Sequence, residues 1–277
     1  MEPEDEVDDD TAKPLDSHSK VDLKKCSALF QRRTILLALM QGIPGCIPGG
    51  VLGTYLNDYL SYDVGFSTTE ATFVMVSLGV GFIAGQLIGG TVGQWLYNRN
   101  PAWQCLFMGL CTALSAFPML YVLNIKSIPL ILYGVDSWTS KQSMYSSIMV
   151  ACVLTGSIAG VTGPNIRSIM QNVSPPELRG TLFSVFNLTD DLGRGGGPYL
   201  ISLLTEYSGS RRFSFSCGVG FWVISGSILA SMAFTVRADE MAARQRIHAV
   251  GGEIEAGQMW TNKLSVAEDD SRERLLS

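Results

Sequence analysis

The chain has 277 residues and a formal net charge of −5, and 47% of its residues are hydrophobic. A net negative charge without basic clusters excludes the broad basic surface that nucleic-acid binding requires. The first 33 residues and the last 41 carry 15 and 14 charged residues, whereas the 203 residues between them carry only 16. Two charged tails therefore flank an apolar centre.

Residues 1–33 hold nine acidic side chains against six basic ones and lack apolar periodicity. Such composition predicts a disordered, acidic cytosolic segment. The opening Met-Glu-Pro-Glu-Asp-Glu is the reverse of the basic start of a secretory signal. We therefore expect no cleaved signal peptide, and we expect the first apolar stretch to direct insertion itself.

The central region, residues 34–236, contains long stretches without Asp, Glu, Lys or Arg. About 20 apolar residues in a helix cross the ~30 Å hydrocarbon core of a membrane. A further stretch, residues 180–205, has the right length but contains charged residues, and Ser127–Val135 is predicted to be a loop or an interfacial segment. The sequence therefore predicts an all-α membrane domain of six transmembrane helices, with uncharged runs at 34–57, 71–98, 100–125, 142–166 and 213–236.

The first predicted span contains Gly42-Ile-Pro-Gly-Cys-Ile-Pro-Gly-Gly, in which Pro44 and Pro48 each remove a backbone donor. This segment is predicted not to form a straight helix. One interpretation is an interrupted helix that lines a binding site, as transporters often have. The other is a kinked helix that only packs against its neighbours.

The second predicted span has glycines at positions 81, 85, 89 and 93, which form one row along a helix. Small residues at this spacing allow another helix backbone to approach closely. The row therefore predicts a helix interface, and a sliding contact between moving helices is its functional interpretation.

Charged residues interrupt the fifth predicted span at Asp190, Asp191 and Arg194. If this span enters the hydrocarbon near Gly180, Asp190 lies ~15 Å deep, near the middle of the membrane. Either acid can reach Arg194 along the helix, so one acid is left without a local partner. The group is either an ion pair that orders the bundle or a site that handles substrate or protons. Pro198 is a further candidate for a helix break, and it is expected, with Gly193, Gly195, Gly196 and Gly197, to loosen the helix beside these charges.

Basic residues near the span ends predict the orientation of the chain, because cytosolic loops are enriched in Lys and Arg. Ten lie on one side and four on the other, which predicts that both tails are cytosolic. The ten basic residues are Lys24, Lys25, Arg32, Arg33, Arg99, Arg167, Arg179, Arg237, Arg244 and Arg246, and the four on the other side are Lys126, Lys141, Arg211 and Arg212. The predicted cytosolic tail, residues 237–277, opens with a helix-prone stretch.

The sequence argues against an enzyme. His18 and His248, the two histidines, both lie in the tails, and no phosphate-binding GxxxxGK[ST] motif is present. Asp190 and Asp191 are adjacent and point about 100° apart, so they do not form an aspartyl-protease pair. We expect no cofactor and no metal site, and the six cysteines show no metal-binding pattern.

Two segments resemble a known family. Gly89-Gly-Thr-Val-Gly93 through Arg99 resembles the glycine-and-arginine loop of the major facilitator superfamily, with Gln94 in place of the usual acid. The second segment is similar to the tenth-to-eleventh helix region of facilitators, including spinster-like ones. It comprises Gly163 to Arg167, the turn with Glu177, Arg179 and Gly180, then Phe186-Asn187 and Gly193 to Pro198.

The resemblance implies that residues 34–236 are helices seven to twelve of a twelve-helix bundle, and that residues 1–33 are the central cytosolic loop. It implies transport of a small solute, with or without proton coupling, at a site between two six-helix halves. The chain would then be a fragment, or a half that pairs with a complementary amino-terminal half. The alternative is a non-transporting membrane scaffold or partner-binding protein.

The resemblance and the charges together give the candidate site residues. Candidates for substrate or proton binding are Asp190, Asp191, Arg194 and Asn187. Candidates for cytosolic gating, including a latch between Glu177 and the arginines, are Gly89, Gly93, Arg99, Arg167, Glu177, Arg179 and Gly180. Ordinary positive-inside decoration is the alternative interpretation of the charged gating residues.

Overall fold

The computed structural model describes Phe30 and residues 32–126 and 141–245, and all regular structure in these residues is helical. Nearly all of the predicted disordered segment, the segment Ser127–Val135 and the end of the carboxyl-terminal tail lie outside the described residues. The described helices are α1 (Arg33–Asp58), α2 (Thr68–Arg99), α3 (Pro101–Leu114), α4 (Ala116–Asn124), α5 (Lys141–Gly160), α6 (Thr162–Val173), α7 (Arg179–Ser208), α8 (Arg211–Ser231) and α9 (residues 236–245).

These helices combine into long rods. Five are long and apolar enough to cross a membrane: Arg33–Val64, Thr68–Arg99, Pro101–Asn124, Lys141–Val173 and Arg211–Phe234. Several such helices make the chain a multi-pass integral membrane protein. The helix α7 has 30 residues, which is also long enough, but its charged residues set it apart from the other five.

Local sequence accounts for the helix ends. Ser67 and Glu70 form a capping box at the start of α2, since each side chain bonds to the other residue's backbone N–H. The Asn100 side chain caps α3, with Pro101 at its first position. Gly209 ends α7 in the left-handed conformation, with φ of 67°, which a residue without Cβ adopts easily. The chain therefore turns within a few residues where α2 follows the first span, where α3 follows α2 and where α8 follows α7.

The predicted interruption of the first span is not present. Pro44 and Pro48 both lie inside α1, which runs as one α-helix from Arg33 to Asp58. The interrupted-helix interpretation is therefore wrong. Each proline removes only one donor, and in a membrane the remaining backbone groups keep their helical partners because no water competes for them. Pro198 likewise lies inside a continuous α7.

Close glycine contacts join α2 to the rod formed by α5 and α6. A Cβ added to Gly81 or Gly85 would lie 2.3 Å or 2.1 Å from the carbonyl oxygen of Val153 or Ser157, respectively. Gly156, on α5, meets the backbone of α2 in return. Only residues without a side chain allow such an approach, so the glycine row is the helix interface that the sequence predicts.

A second close contact joins α1 to α7. A Cβ on Gly50 would lie 2.1 Å from the carbonyl oxygen of Arg194, and one on Gly193 would lie 2.3 Å from that of Ile43. Gly193, and Gly197 beside Ile47, therefore serve packing within a continuous helix, whereas Gly195 and Gly196 have no described neighbour outside the helix within 4 Å of the Cβ position.

Two buried apolar clusters lie at opposite ends of the bundle. One contains Leu56, Met119 and Ile148, and the other contains Ile35, Met108 and Ile169. On α1 the first cluster begins at Ile47 and the second ends at Leu39. The middle of the bundle between them is where polar side chains collect.

Candidate functional site

A cavity of about 350 Å³ lies at the middle of the bundle. Each long helix contributes to its wall, and on α1 the lining residues fall mainly between the two apolar clusters. The described lining residues are Gln41, Gly45, Cys46, Gly49, Phe82, Gln86, Thr112, Ala159, Thr162, Gly163, Ile166, Arg167, Phe186, Asp190, Arg194, Trp222 and Ser225.

Three charged side chains line this cavity among the described residues: Asp190 and Arg194 from α7, and Arg167 from α6. Asp190 is partly buried, and its Oδ1 atom is buried with no hydrogen-bond partner among the described residues. Arg167 was predicted at a cytosolic span end because the uncharged run stops at residue 166. The helix continues to Val173, so Arg167 is still within the bundle and reaches the cavity.

The other predicted binding residues lie on the adjacent face of α7. Asp191 pairs with Arg194 at 3.4 Å, and both side chains are more than 60% exposed. Asn187 is also exposed. Asn187, Asp191 and Arg194 are spaced by four and three residues, so they form one polar stripe along the helix. Only Asp190 and Arg194 of the four predicted binding residues line the cavity itself.

Neutral polar groups form the opposite wall. Ser225 on α8 donates a hydrogen bond to Gln41 on α1 at 3.2 Å, and the hydroxyls of Thr112 and Thr162 bond to each other. Cys46 lies close enough to Asp190 and Arg194 to interact with both electrostatically. Trp222 and Phe186 add aromatic surface. The site therefore combines fixed charge, hydroxyl and amide groups, and apolar contact, as solute-binding pockets do.

A buried amide network beside the cavity was not predicted. Asn165 donates hydrogen bonds to the backbone oxygens of Gly89 (2.9 Å) and Val161 (2.6 Å), and Gln104 donates to Asn165 Oδ1 at 2.7 Å. These contacts tie α2 and α3 to α6, two residues before Arg167. The available signal was an amide inside otherwise apolar helices, since such a group must find partners in a membrane.

The predicted cytosolic latch is not formed. No salt bridge joins Glu177 to Arg99, Arg167 or Arg179 in the part of the chain that the structure describes. The three arginines have different surroundings: Arg99 stacks over Trp95 at 4.2 Å, Arg167 lines the cavity, and Arg179 starts α7. Glu177 lies exposed in a 3-10 turn, Pro176–Leu178. The prediction that these residues share the cytosolic face therefore did not give their ion-pair partners.

A polar cluster of Thr34, Tyr97, Asp239 and Glu240 ties α9 to the end of the bundle where α1 begins and α2 ends. Asp239 accepts a hydrogen bond from the Thr34 backbone N–H at 2.8 Å. Glu240, which is 6% exposed, accepts hydrogen bonds from Tyr97 and from Arg244. The carboxylate of Glu240 raises the pKa of the Arg244 guanidinium, because the hydrogen bond favours its charged form. The helix-prone stretch predicted after the last span is thus helical as far as residue 245, and it is docked.

Comparison with known proteins adds one finding. The family profile described as Major Facilitator Superfamily matches residues 2–198, well over half of the chain. A search of curated proteins found no match.

Proposed function

Because the chain belongs to the major facilitator superfamily, it is a membrane transport protein for small solutes and not an enzyme, and we propose that it forms the carboxyl-terminal half of a secondary transporter. In this proposal α7 is the sixth transmembrane helix, residues 34–236 are the membrane domain, and α9 begins a cytosolic tail. The complementary amino-terminal half completes a twelve-helix bundle around the cavity.

The polar stripe on α7 is the observation that carries the proposal. Asn187, Asp191 and Arg194 are exposed near the middle of a helix of 30 residues. A charged side chain in contact with hydrocarbon costs at least ~2.5–3.5 kcal/mol, so such groups face protein or a water-filled cavity. This face of α7 therefore requires a partner surface or water, and a transport pathway between two halves supplies both.

Asp190, Asp191, Arg194 and Asn187 form the polar side of the pathway in this proposal. Two mechanisms are compatible with their arrangement. A carboxylate beside a guanidinium exchanges a proton as the pathway opens and closes, which couples transport to protons. Alternatively Arg194 holds an anionic group of the solute while the acids orient it.

The gating candidates have two parts. We propose that Gly89 and Gly93 hold α2 against α5 and α6 so that these helices move as one rigid unit, since Asn165 fits against Gly93 and donates a hydrogen bond to the backbone oxygen of Gly89. The turn from Glu177 to Gly180 and the arginines Arg99 and Arg179 lie on the cytosolic side of the pathway in this topology, whereas Arg167 lines the cavity itself. Their positive charge then acts by attracting solute and by fixing orientation.

Uptake measurements separate the mechanisms. The chain is co-expressed with an amino-terminal six-helix half, and uptake and counterflow of an identified solute are compared in vesicles. If the acids carry protons, Asp190→Asn or Asp191→Asn abolishes proton-driven accumulation and spares counterflow exchange. If the arginine holds the solute, Arg194→Lys raises the half-saturation concentration. Unchanged uptake for all three variants, with less folded protein, contradicts a role in transport and favours a structural role.

A further inference from the structure

We propose that the central cavity selects solutes with a net negative charge, which Arg167 and Arg194 hold together. This inference rests on the proposed function, because it names the class of solute for the same site. Its test below distinguishes failure of the charge assignment from failure of the pathway.

The balance of charge in the cavity supports an anion. Two cations and one anion line it among the described residues, so its net charge is positive even when Asp190 is ionised. Asp191, which also neutralises Arg194, does not line the cavity. Because Asp191 offsets Arg194 from outside the cavity, Arg167 is the lining guanidinium without an ion pair among the described residues, and a bound anionic solute can supply its partner.

Arg167 and Arg194 both have guanidinium N–H donors that the described residues do not use. Arg167 makes no hydrogen bond or salt bridge with the described residues, and the contact of Arg194 with Asp191 is long and exposed. A guanidinium carries five N–H donors in a planar fork that matches carboxylate and phosphate oxygens. The pair therefore offers far more donors than the protein uses.

The Oδ1 atom of Asp190 is buried, so a solute does not reach it, and the Cys46 thiol is a neighbouring side chain that interacts with this carboxylate. The arginine N–H groups are therefore the charged donors that a solute meets in the cavity, and the preferred ligand is a small anion.

The volume of the cavity and its aromatic lining residues also bear on which solutes fit. The part of the cavity that this chain forms has a volume of about 350 Å³, which is at the lower end of the range for ligand pockets. Trp222 and Phe186 line the wall, so the carbon skeleton of the solute has an aromatic surface to contact.

Cys46 provides a probe for this assignment, because it lines the cavity beside Asp190 and Arg194. The full 277-residue chain is purified with its five other cysteines replaced by serine. Cys46 is then treated with three methanethiosulfonates of similar size, in which the transferred group is neutral, anionic (sulfonatoethyl) or cationic (trimethylammonioethyl). Each rate is divided by the rate of the same reagent with a free thiol. The ratio of anionic to cationic rates is independent of the thiolate fraction at a fixed pH.

We expect this ratio to exceed one. Removing one positive charge by Arg167→Gln or Arg194→Gln should lower it about fourfold, and Asp190→Asn should raise it by a similar factor, from the Coulomb interaction of unit charges ~10 Å apart in water. The matched control is Arg237→Gln, since Arg237 bonds to Asn100 away from the cavity, and its ratio should equal that of the parent.

Two results would overturn the inference, and they differ in what else they affect. In the first result the neutral reagent modifies Cys46, but the ratio of anionic to cationic rates is one or lower, or both arginine substitutions leave it unchanged. The cavity then does not favour anions, although water reaches it. If none of the three reagents modifies Cys46, water does not reach the cavity, and the proposed pathway fails together with the anion assignment.

Discussion

Asn165 occupies the space that a side chain at position 93 would need. A Cβ on Gly93 would lie 1.6 Å from Asn165 Oδ1, so glycine is required there as long as the amide keeps its place. The spacing of glycines along α2 was enough to predict an interface. It could not predict Asn165, because a periodic pattern on one helix carries no information about which residue of another helix lies opposite.

Substitution at Gly93 tests this contact. We expect Gly93→Ala to destabilise the chain by ~1–3 kcal/mol, because the amide must move and lose its buried hydrogen bonds. The cost of Gly93→Ala should be smaller when Asn165 is already alanine, since the clashing group is then absent. Thermal unfolding of the purified variants measures both effects.

Gly90→Ala is the matched control, because its nearest neighbour outside the helix is Pro164 Cβ at 3.8 Å, an ordinary contact. It should leave the unfolding temperature unchanged or raise it slightly, since alanine favours helix. Equal destabilisation by Gly90→Ala and Gly93→Ala would show that the Asn165 contact is not the cause.

At the scale of elements, composition predicted where the five uncharged spans lie, because a long uncharged run leaves the backbone no partners in a membrane except its own, but it did not predict all of their ends. It failed for Pro44 and Pro48, where the energetic need for internal hydrogen bonds outweighs the local preference to break the helix. It also did not predict how α9 docks, because polar residues in a tail show no periodicity that names their partners.

The docking of α9 depends on Tyr97, which donates to the buried carboxylate of Glu240. Tyr97→Phe removes that donor and should lower the free energy of unfolding by ~1 kcal/mol, seen as a lower unfolding temperature. Tyr207→Phe is the control, since Tyr207 is 92% exposed, and it should have no effect. If Tyr97→Phe behaves like the control, the contact does not hold α9 to the bundle.

At the scale of the whole molecule, the sequence predicted only part of the arrangement in which a polar cavity lies between two apolar clusters. Hydropathy placed Asp190 near mid-depth, and the cavity includes it. Arg167 was assigned to a cytosolic flank, because an uncharged run marks where charge begins and not where the helix ends. The pairing of α1 with α7 and of α2 with α5 and α6 follows from contacts that no single-sequence pattern specifies.

Orientation is a prediction at this scale. Ten basic residues flank the spans on one side and four on the other, so we expect both termini to be cytosolic. Epitope tags at each end should be inaccessible to antibody in intact cells and accessible after permeabilisation. One tag that is labelled in intact cells would contradict an even number of spans.

The central claim is that the polar stripe of α7 faces a water-filled pathway. Two single-cysteine variants test this claim without knowledge of the solute. In a chain without other cysteines, Asn187→Cys and Leu192→Cys are compared in membranes from cells that also contain the complementary half. Both positions are exposed in the chain alone, yet they lie on different faces of α7. A polar, membrane-impermeant maleimide should label position 187 and not position 192, which we expect to face lipid or the partner half. Equal labelling, or no labelling at position 187, would contradict the pathway and favour charges that serve assembly in a scaffold.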